Sequence, residues 1–256
     1  MCHNKKNSPE ECDTAMKKRH CVQSLLSLLL CLVLAAAIAM PVRADDGEGD
    51  KVIYLTFDDG PSPYTAQLLE TLEKYGAKAT FFLVDSGCCT KELLNAMVEG
   101  GHGIGIHSLS HDYGKIYASE EAYMEDLYAM RSLIYEKTGV RATMVRFPGG
   151  SSNTVSRRYS RGIMSRLVEA VTEAGFRYFD WNVDSGDAAG CLDTERIYRN
   201  VIAGVRGREQ AVVLLHDVYP CSVQAVERIL AWGKRNGYSF RGLTAQSEQC
   251  HHTVQN

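Results

Sequence analysis

The chain has no surplus of positive charge, few prolines and no internal repeat. Its 256 residues carry 28 Lys and Arg against 31 Asp and Glu. Residues 1–44 hold 6 basic and 3 acidic side chains, so residues 45–256 hold 22 basic against 28 acidic, a net of −6. A body of that sign offers no basic stripe for phosphates, so no nucleic acid is expected as a partner. Six prolines in a chain that is 45% apolar and 23% charged exclude collagen-like and disordered classes. Neither GxGxxG nor a Walker sequence follows any apolar run, and nucleotide folds lose support with them. Nothing recurs at 20–50 residues, which excludes a solenoid.

Cysteine is present without a metal-finger pattern. Four of the 9 Cys (Cys2, Cys12, Cys21, Cys31) fall in the first 44 residues. The other five (Cys88, Cys89, Cys191, Cys221, Cys250) are odd in number, and Cys88-Cys89 is adjacent rather than CxxC. Cys191 and Cys221 are both expected in loops just past strands, and a disulfide between them is the expected pairing.

Charge and hydropathy divide the N-terminal part. Lys17, Lys18 and Arg19 precede the uncharged stretch Val22 to Met40, whose cleanest part, Leu28 to Met40, is short for a spanning helix. Pro41-Val42-Arg43-Ala44 places small residues where a signal peptidase cuts, and Asp45, Asp46, Glu48 and Asp50 form an acidic outer flank. Residues 1–44 therefore read as a signal peptide or a single membrane anchor, 45–51 as a linker, 52–245 as the working domain and 246–256 as a polar tail. Either reading of the leader puts the domain outside the cytoplasm, exported to the cell surface or beyond. His251 and His252 in the tail are expected to be solvated and idle.

From Lys51 onward short apolar runs alternate with longer helical ones. Strands are expected at 52–57, 79–84, 103–107, 143–146, 176–181, 211–215 and 240–243. Helices are expected at 63–75, 91–98, 120–138, 162–174, 194–205 and 223–236, several of them closed by glycine. Seven strands separated by helices imply parallel βα units, hence a layered α/β body or a barrel.

Chemistry in parallel α/β folds gathers at the C-terminal ends of the strands. There stand Asp58-Asp59-Gly60-Pro61, His107 to His111, Arg146-Phe147-Pro148-Gly149-Gly150, Asp184-Ser185-Gly186-Asp187 and Leu214-Leu215-His216-Asp217. At a spacing of four, His107 and His111 would share one side of a helical turn and one metal ion. Consecutive strand residues point apart, so one of Asp58 and Asp59 can bind metal while the other takes a proton. A Lewis acid beside a base is what metal-assisted hydrolysis needs. Singly, each feature has a bland reading: an Asp-Asp turn, a chance HxxxH, a surface Arg146, a core His216. Their joint placement at five strand ends favours the functional one.

Together these segments resemble the polysaccharide deacetylases, carbohydrate esterase family four, whose shared unit is the NodB homology domain. The resemblance runs from Val52 to Leu243 and rests on TFDDGP (Thr56–Pro61), HSLSH (His107–His111), RFPGG (Arg146–Gly150) and LLH (Leu214–His216). It implies a distorted (β/α)7 barrel and a metal-dependent hydrolase that removes N-acetyl groups from an aminosugar polymer. Peptidoglycan N-acetylglucosamine is the first substrate implied and chitin oligomers the second. The other readings are O-acetyl ester cleavage on xylan and an idle wall-binding module. By resemblance Asp59, His107 and His111 would hold one divalent ion, zinc first. Asp58 would be the general base, oriented by Arg146. His216 would be the general acid, kept cationic by Asp187, with Asp184 a lesser candidate. The Gly149 N–H would face the oxyanion, and Leu214 would line the acetyl pocket. One departure stands out: Ala188 follows Asp187 where many members carry Trp. Trp181 either replaces part of that wall or packs the barrel, with packing favoured. Nothing in the sequence sets the oligomeric state.

Overall fold

Strand β1 (Lys51–Asp58) is the spine of the structure, a computed structural model that describes residues 51–190 and 193–256. After it come α1 (Thr65–Lys74), β2 (Ala79–Leu83), α2 (Lys91–Glu99), β3 (Gly103–Ile106), α3 (Tyr113–Ile116), α4 (Glu120–Thr138) and β4 (Met144–Val145). Then follow α5 (Ile163–Glu173), β5 (Arg177–Tyr178), β6 (Val183–Asp184), α6 (Thr194–Val205), β7 (Gln210–His216), α7 (Pro220–Arg235) and β8 (Tyr238–Phe240). The expected leader and Cys191 lie outside the described residues, and with Cys191 the expected pairing. Cys221 is buried in the first turn of α7 rather than in a loop, because Pro220 starts that helix three residues early. Among the described residues no helix is long and apolar enough to cross a membrane.

All strand pairs are parallel, in the order β5-β4-β3-β2-β1-β7-β6. Strand β7 runs along one edge of β1, from Val52 to Asp58. On its other edge β8 takes Lys51 to Ile53 and β2 takes Leu55 to Asp58. Parallel pairing brings every C-terminal strand end to one rim, so the motifs meet there although they are far apart in sequence.

Among the described residues the strands number eight rather than seven, and no ladder closes the ring. Of the stretch expected as one strand, 176–181, only Arg177 and Tyr178 pair, with β4, and just beyond it Val183 and Asp184 form a further strand that pairs with β7. The four residues between β5 and β6 are too few for a helical crossover, so one piece of chain supplies both edges of a curled sheet.

Alternation decides which residues face the curl's interior. Ile53, Leu55 and Phe57 of β1 and Ala211, Val213 and Leu215 of β7 join the main core shared with the helices. Each large apolar side chain there contributes about 1.5–3 kcal/mol by leaving water. The opposite face carries Thr56 and Asp58 on β1 and Val212, Leu214 and His216 on β7. A smaller inner cluster of Phe82, Met144, Phe179, Val212 and Leu243 closes the interior below the rim. A slip of one residue in either strand would turn Asp58 or His216 into the helix layer.

Local signals set most helix ends. Thr90 caps α2 and Ser119 caps α4 through their side-chain oxygens, and left-handed Gly139 (φ 73°) stops α4. The polar tail departs from expectation. The His251 ring stacks on Tyr178 at 3.7 Å, and both imidazoles hydrogen-bond carbonyls of the body. Side-chain polarity alone gave no sign of these backbone partners.

On the inner face of β3, Gly105 leaves room for the ring of Phe82, which would lie 2.4 Å from a Cβ placed there. That ring in turn underlies the Arg146 guanidinium, 4.3 Å away. Gly105→Ala should therefore lower unfolding stability by about 1–3 kcal/mol. The readout is the denaturant midpoint, and an unmoved midpoint would show that Phe82 has room to yield.

Candidate active site

At the end of β1 the chain turns sharply. Asp58 continues the inward alternation, and Asp59 adopts a left-handed conformation, φ 67°, that keeps its carboxylate at the same cavity. The two carboxylates thus line one cavity of about 430 Å³ instead of pointing apart. They still divide their partners, Asp58 facing Arg146 and Asp59 facing the histidines.

His107 leaves β3 at the rim. Its Nδ1 lies 2.7 Å from the Arg146 carbonyl. A carbonyl only accepts, so that nitrogen carries the proton and Nε2 presents its lone pair to the cavity. Burial depresses the His107 pKa despite the raising effect of Asp58 and Asp59, which keeps the ring neutral. His107 Nε2 is 3.4 Å and His111 Nε2 3.2 Å from Asp59 Oδ1. That oxygen is buried and has no hydrogen-bond partner. One carboxylate oxygen and two imidazole nitrogens, all within 4.8 Å of one another, form an acceptor cluster that a single cation would satisfy. The donor set suits zinc and similar divalent ions.

The two histidines do not share a helical turn. Residues 107–111 form a loop, with His111 left-handed at φ 50°. Asp126 of α4 explains why. Its carboxylate accepts from Ser108 Oγ (2.8 Å), Leu109 N (2.6 Å), Ser110 N (3.1 Å) and Ser110 Oγ (2.9 Å). Ser108 Oγ in turn accepts from His111 N at 2.8 Å. The carboxylate outcompetes helical hydrogen bonding and turns the second imidazole toward the first.

Arg146 is fully buried at the end of β4. Its Nη1 donates to Asp58 Oδ1 (2.9 Å) and Thr56 Oγ1 (2.6 Å), Nε to the Phe179 carbonyl (2.9 Å) and Nη2 to the Asp180 carbonyl (2.8 Å). Asp58 therefore has one side fixed by a guanidinium and the other open to the cavity.

Across the cavity His216 Nδ1 meets Asp187 Oδ1 at 2.8 Å, leaving Nε2 3.9 Å from Asp59 Oδ2. Asp187 is held in turn by the His216 and Ala188 backbone N–H groups (2.8 Å each) and by Ser222 Oγ (2.7 Å). Burial works against charge on His216. The hydrogen bond and charge of Asp187, aided by Asp58 and Asp59, outweigh it and raise the pKa to about 9. Asp184 also lines the cavity, with its Oδ1 accepting from Gly186 N, whereas the partner of His216 Nδ1 is Asp187.

Gly149 and Leu214 also line the cavity. Gly149 has φ 78°, and a Cβ there would lie 2.7 Å from the Tyr113 hydroxyl, so only glycine fits. Its N–H has no acceptor among the described residues. Trp181 borders the cavity beside Ala188 and Ala189, so it is a wall as well as packing.

Asp58, Asp59, His107, His111, Gly149, Leu214 and His216 face this one cavity, and Arg146 and Asp187 hold residues that do, whereas Phe147 and Leu215 turn into the main core. Sequence reasoning missed Asp126, Ser222 and Tyr113, and gave Asp217, placed beside His216 at a strand end, no role. Asp217 accepts from Thr65 Oγ1 and, through its carbonyl, from Ser62 Oγ (2.7 Å), tying the loop after β1 to the end of β7. Burial pushes its carboxyl up to about 6. None of Asp126, Ser222 and Tyr113 sits in a spacing pattern that would mark it. Asp126→Ala should free the 107–111 loop and weaken divalent-metal affinity by about 10–100-fold. Metal titration followed by calorimetry checks this, and an unchanged affinity would show that the loop holds itself.

The sequence of residues 45–168 matches the polysaccharide deacetylase family. A peptidoglycan-N-acetylglucosamine deacetylase of Bacillus cereus is 37% identical over 214 residues, covering 79% of this chain and 72% of that protein. The catalytic domain of a peptidoglycan N-acetylglucosamine deacetylase from Eubacterium rectale superposes with a TM-score of 0.79 at 50% identity, covering 82% of this chain and 96% of that one. A polysaccharide deacetylase of Bacillus cereus gives 0.69 at 34% identity, covering 78% and 96%. With its curled parallel sheet and these relatives, the chain belongs to the polysaccharide deacetylase family.

Proposed function

We propose that this protein hydrolyses the N-acetyl group of N-acetylglucosamine units in peptidoglycan, releasing acetate, with a divalent cation, zinc first, held by Asp59, His107 and His111. The observation that carries the reading is the opposition of two differently partnered groups across one acceptor cluster. Asp58 with Arg146 stands on one side, and His216 with Asp187 on the other. A module that only bound glycan would need no such pair.

The cation, when bound, supplies positive charge that acidifies a water and polarises an acyl oxygen. Asp58, fixed by Arg146, accepts the proton of the attacking water at its free oxygen. The Gly149 N–H, which has no acceptor of its own, donates to the oxyanion that develops at the acyl carbon. As the carbon–nitrogen bond breaks, His216 Nε2 gives its proton to the departing amine while Asp187 holds the ring through Nδ1. Leu214, Ala188 and Trp181 offer an apolar surface beside the acetyl methyl. Peptidoglycan lies outside the cytoplasmic membrane, in keeping with the export expected from residues 1–44. The names of the similar proteins support peptidoglycan as the substrate; chitin oligomers rank second and acetylated xylan third.

Purified protein with added zinc should release acetate from N-acetylglucosamine oligomers or peptidoglycan, and a chelator should abolish release. Asp58→Asn should lower kcat by about 100-fold or more, as expected for a lost general base. No acetate from any aminosugar polymer, with release from acetylated xylan, would move the assignment to an ester. Because the His216 pKa is raised to about 9, its acid form persists until pH rises through that value. Activity should therefore fall on the alkaline side there, and Asp187→Asn should move that limb to lower pH. An unmoved limb in the variant would remove His216 from the acid role.

A further inference from the structure

The gap between β5 and β6 is filled by the C-terminal segment. Phe179 N still donates to Val145 O (2.9 Å) and Asn182 N to Val212 O (3.1 Å), so Asp180 and Trp181 lie where neither sheet edge reaches. There Asp180 N donates to Cys250 O at 2.7 Å. His252 N donates to Asp180 Oδ2 at 2.8 Å. The His252 ring stands edge-on to the Trp181 indole, 4.7 Å between centroids, with Nε2 2.7 Å from the Trp181 carbonyl. A carbonyl only accepts, so Nε2 carries the proton, and Nδ1 accepts from Ser152 Oγ at 3.1 Å. One imidazole thus ties the loop after β4 to the strand gap.

What it ties reaches the reacting groups. Asp180 is fully buried, and its carboxylate also accepts from Ser151 N (2.8 Å) and Ser151 Oγ (2.5 Å). The carbonyls of Phe179 and Asp180 are two of the acceptors of Arg146, which orients Asp58. Trp181 borders the cavity and packs over Gly150, where a Cβ would lie 3.0 Å from the indole.

We propose that His252, carried by residues 250–252, is a positioning residue of the deacetylase site: it fixes Trp181 as a cavity wall and steadies the 179–180 carbonyls that aim Arg146 at Asp58. The effect on turnover rests on the deacetylase reading above; the placement of Trp181 does not. Trp181 and Trp232 are the chain's two tryptophans, so a Trp232→Phe background isolates Trp181 emission. In the full-length protein, His252→Ala should lower kcat on an N-acetylglucosamine oligomer by about 10–100-fold at unchanged metal content. It should also red-shift Trp181 emission and raise its quenching by acrylamide. His252→Gln returns an N–H to the position of Nε2 and should recover most of both signals. Wild-type kcat and emission in His252→Ala would overturn the proposal. So would equal losses in the Ala and Gln variants that follow a fall in thermal midpoint, since that is packing alone. Should the parent protein release no acetate from any glycan, the deacetylase reading fails, and the emission of the Ala and Gln variants still decides whether His252 places Trp181.

Discussion

A guanidinium without access to water organises the inner face of this protein. Arg146 is fully buried, and its donors are divided among the carboxylate of Asp58, the hydroxyl of Thr56 and the carbonyls of Phe179 and Asp180. A buried charge is tolerated only when it is paired and hydrogen-bonded, so each partner is constrained by the others. Thr56 and Asp58 come from β1, Arg146 from the end of β4, and the two carbonyls from the stretch between β5 and β6. The curled sheet therefore has a polar tie near its rim, set above the apolar layer of Phe82, Met144 and Phe179.

That tie leaves a second group of atoms unsatisfied. The Arg146 carbonyl takes the His107 Nδ1 proton, which aims a bare Nε2 at Asp59 Oδ1, itself without a donor. Frustration at this spot is what a bound cation would relieve: acceptors that cost stability together would become ligands once a positive charge joined them. His216 stands opposite with its charge maintained by Asp187, so the cavity contains a proton acceptor and a proton donor in separate environments. The Asp126 carboxylate and the Ser222 hydroxyl hold these groups from behind, as outer partners of reactive residues commonly do.

Much of this was legible from the chain alone. Glycine stops, capping residues and two periodicities gave six of the helices within a few residues at each end, because caps and amphipathic faces are local properties. Placement of Asp58, His107, Arg146 and His216 at strand ends followed from the same alternation. The single expected strand over 176–181 failed because pairing is a relation between distant segments: its first part pairs with β4, and another two-residue strand just beyond it pairs with β7. The shared helical turn expected for His107 and His111 failed for a related reason. Asp126, 15 residues beyond His111, supplies hydrogen bonds that spacing does not reveal. The supposedly idle tail was misread because polarity marks a segment as able to be solvated without saying whether the body offers it partners.

By itself the sequence determined the alternation of strand and helix, the rim at which reactive side chains collect and the chemical types gathered there, since each depends on residues a few positions apart. Tertiary structure alone decided that Asp59 turns back into the cavity, that His107 keeps its proton on Nδ1, and that residues 250–252 brace Asp180 and Trp181. Those outcomes depend on hydrogen bonds between groups about 40 to 70 positions apart and on a left-handed backbone angle at a non-glycine residue, and no local pattern specifies either.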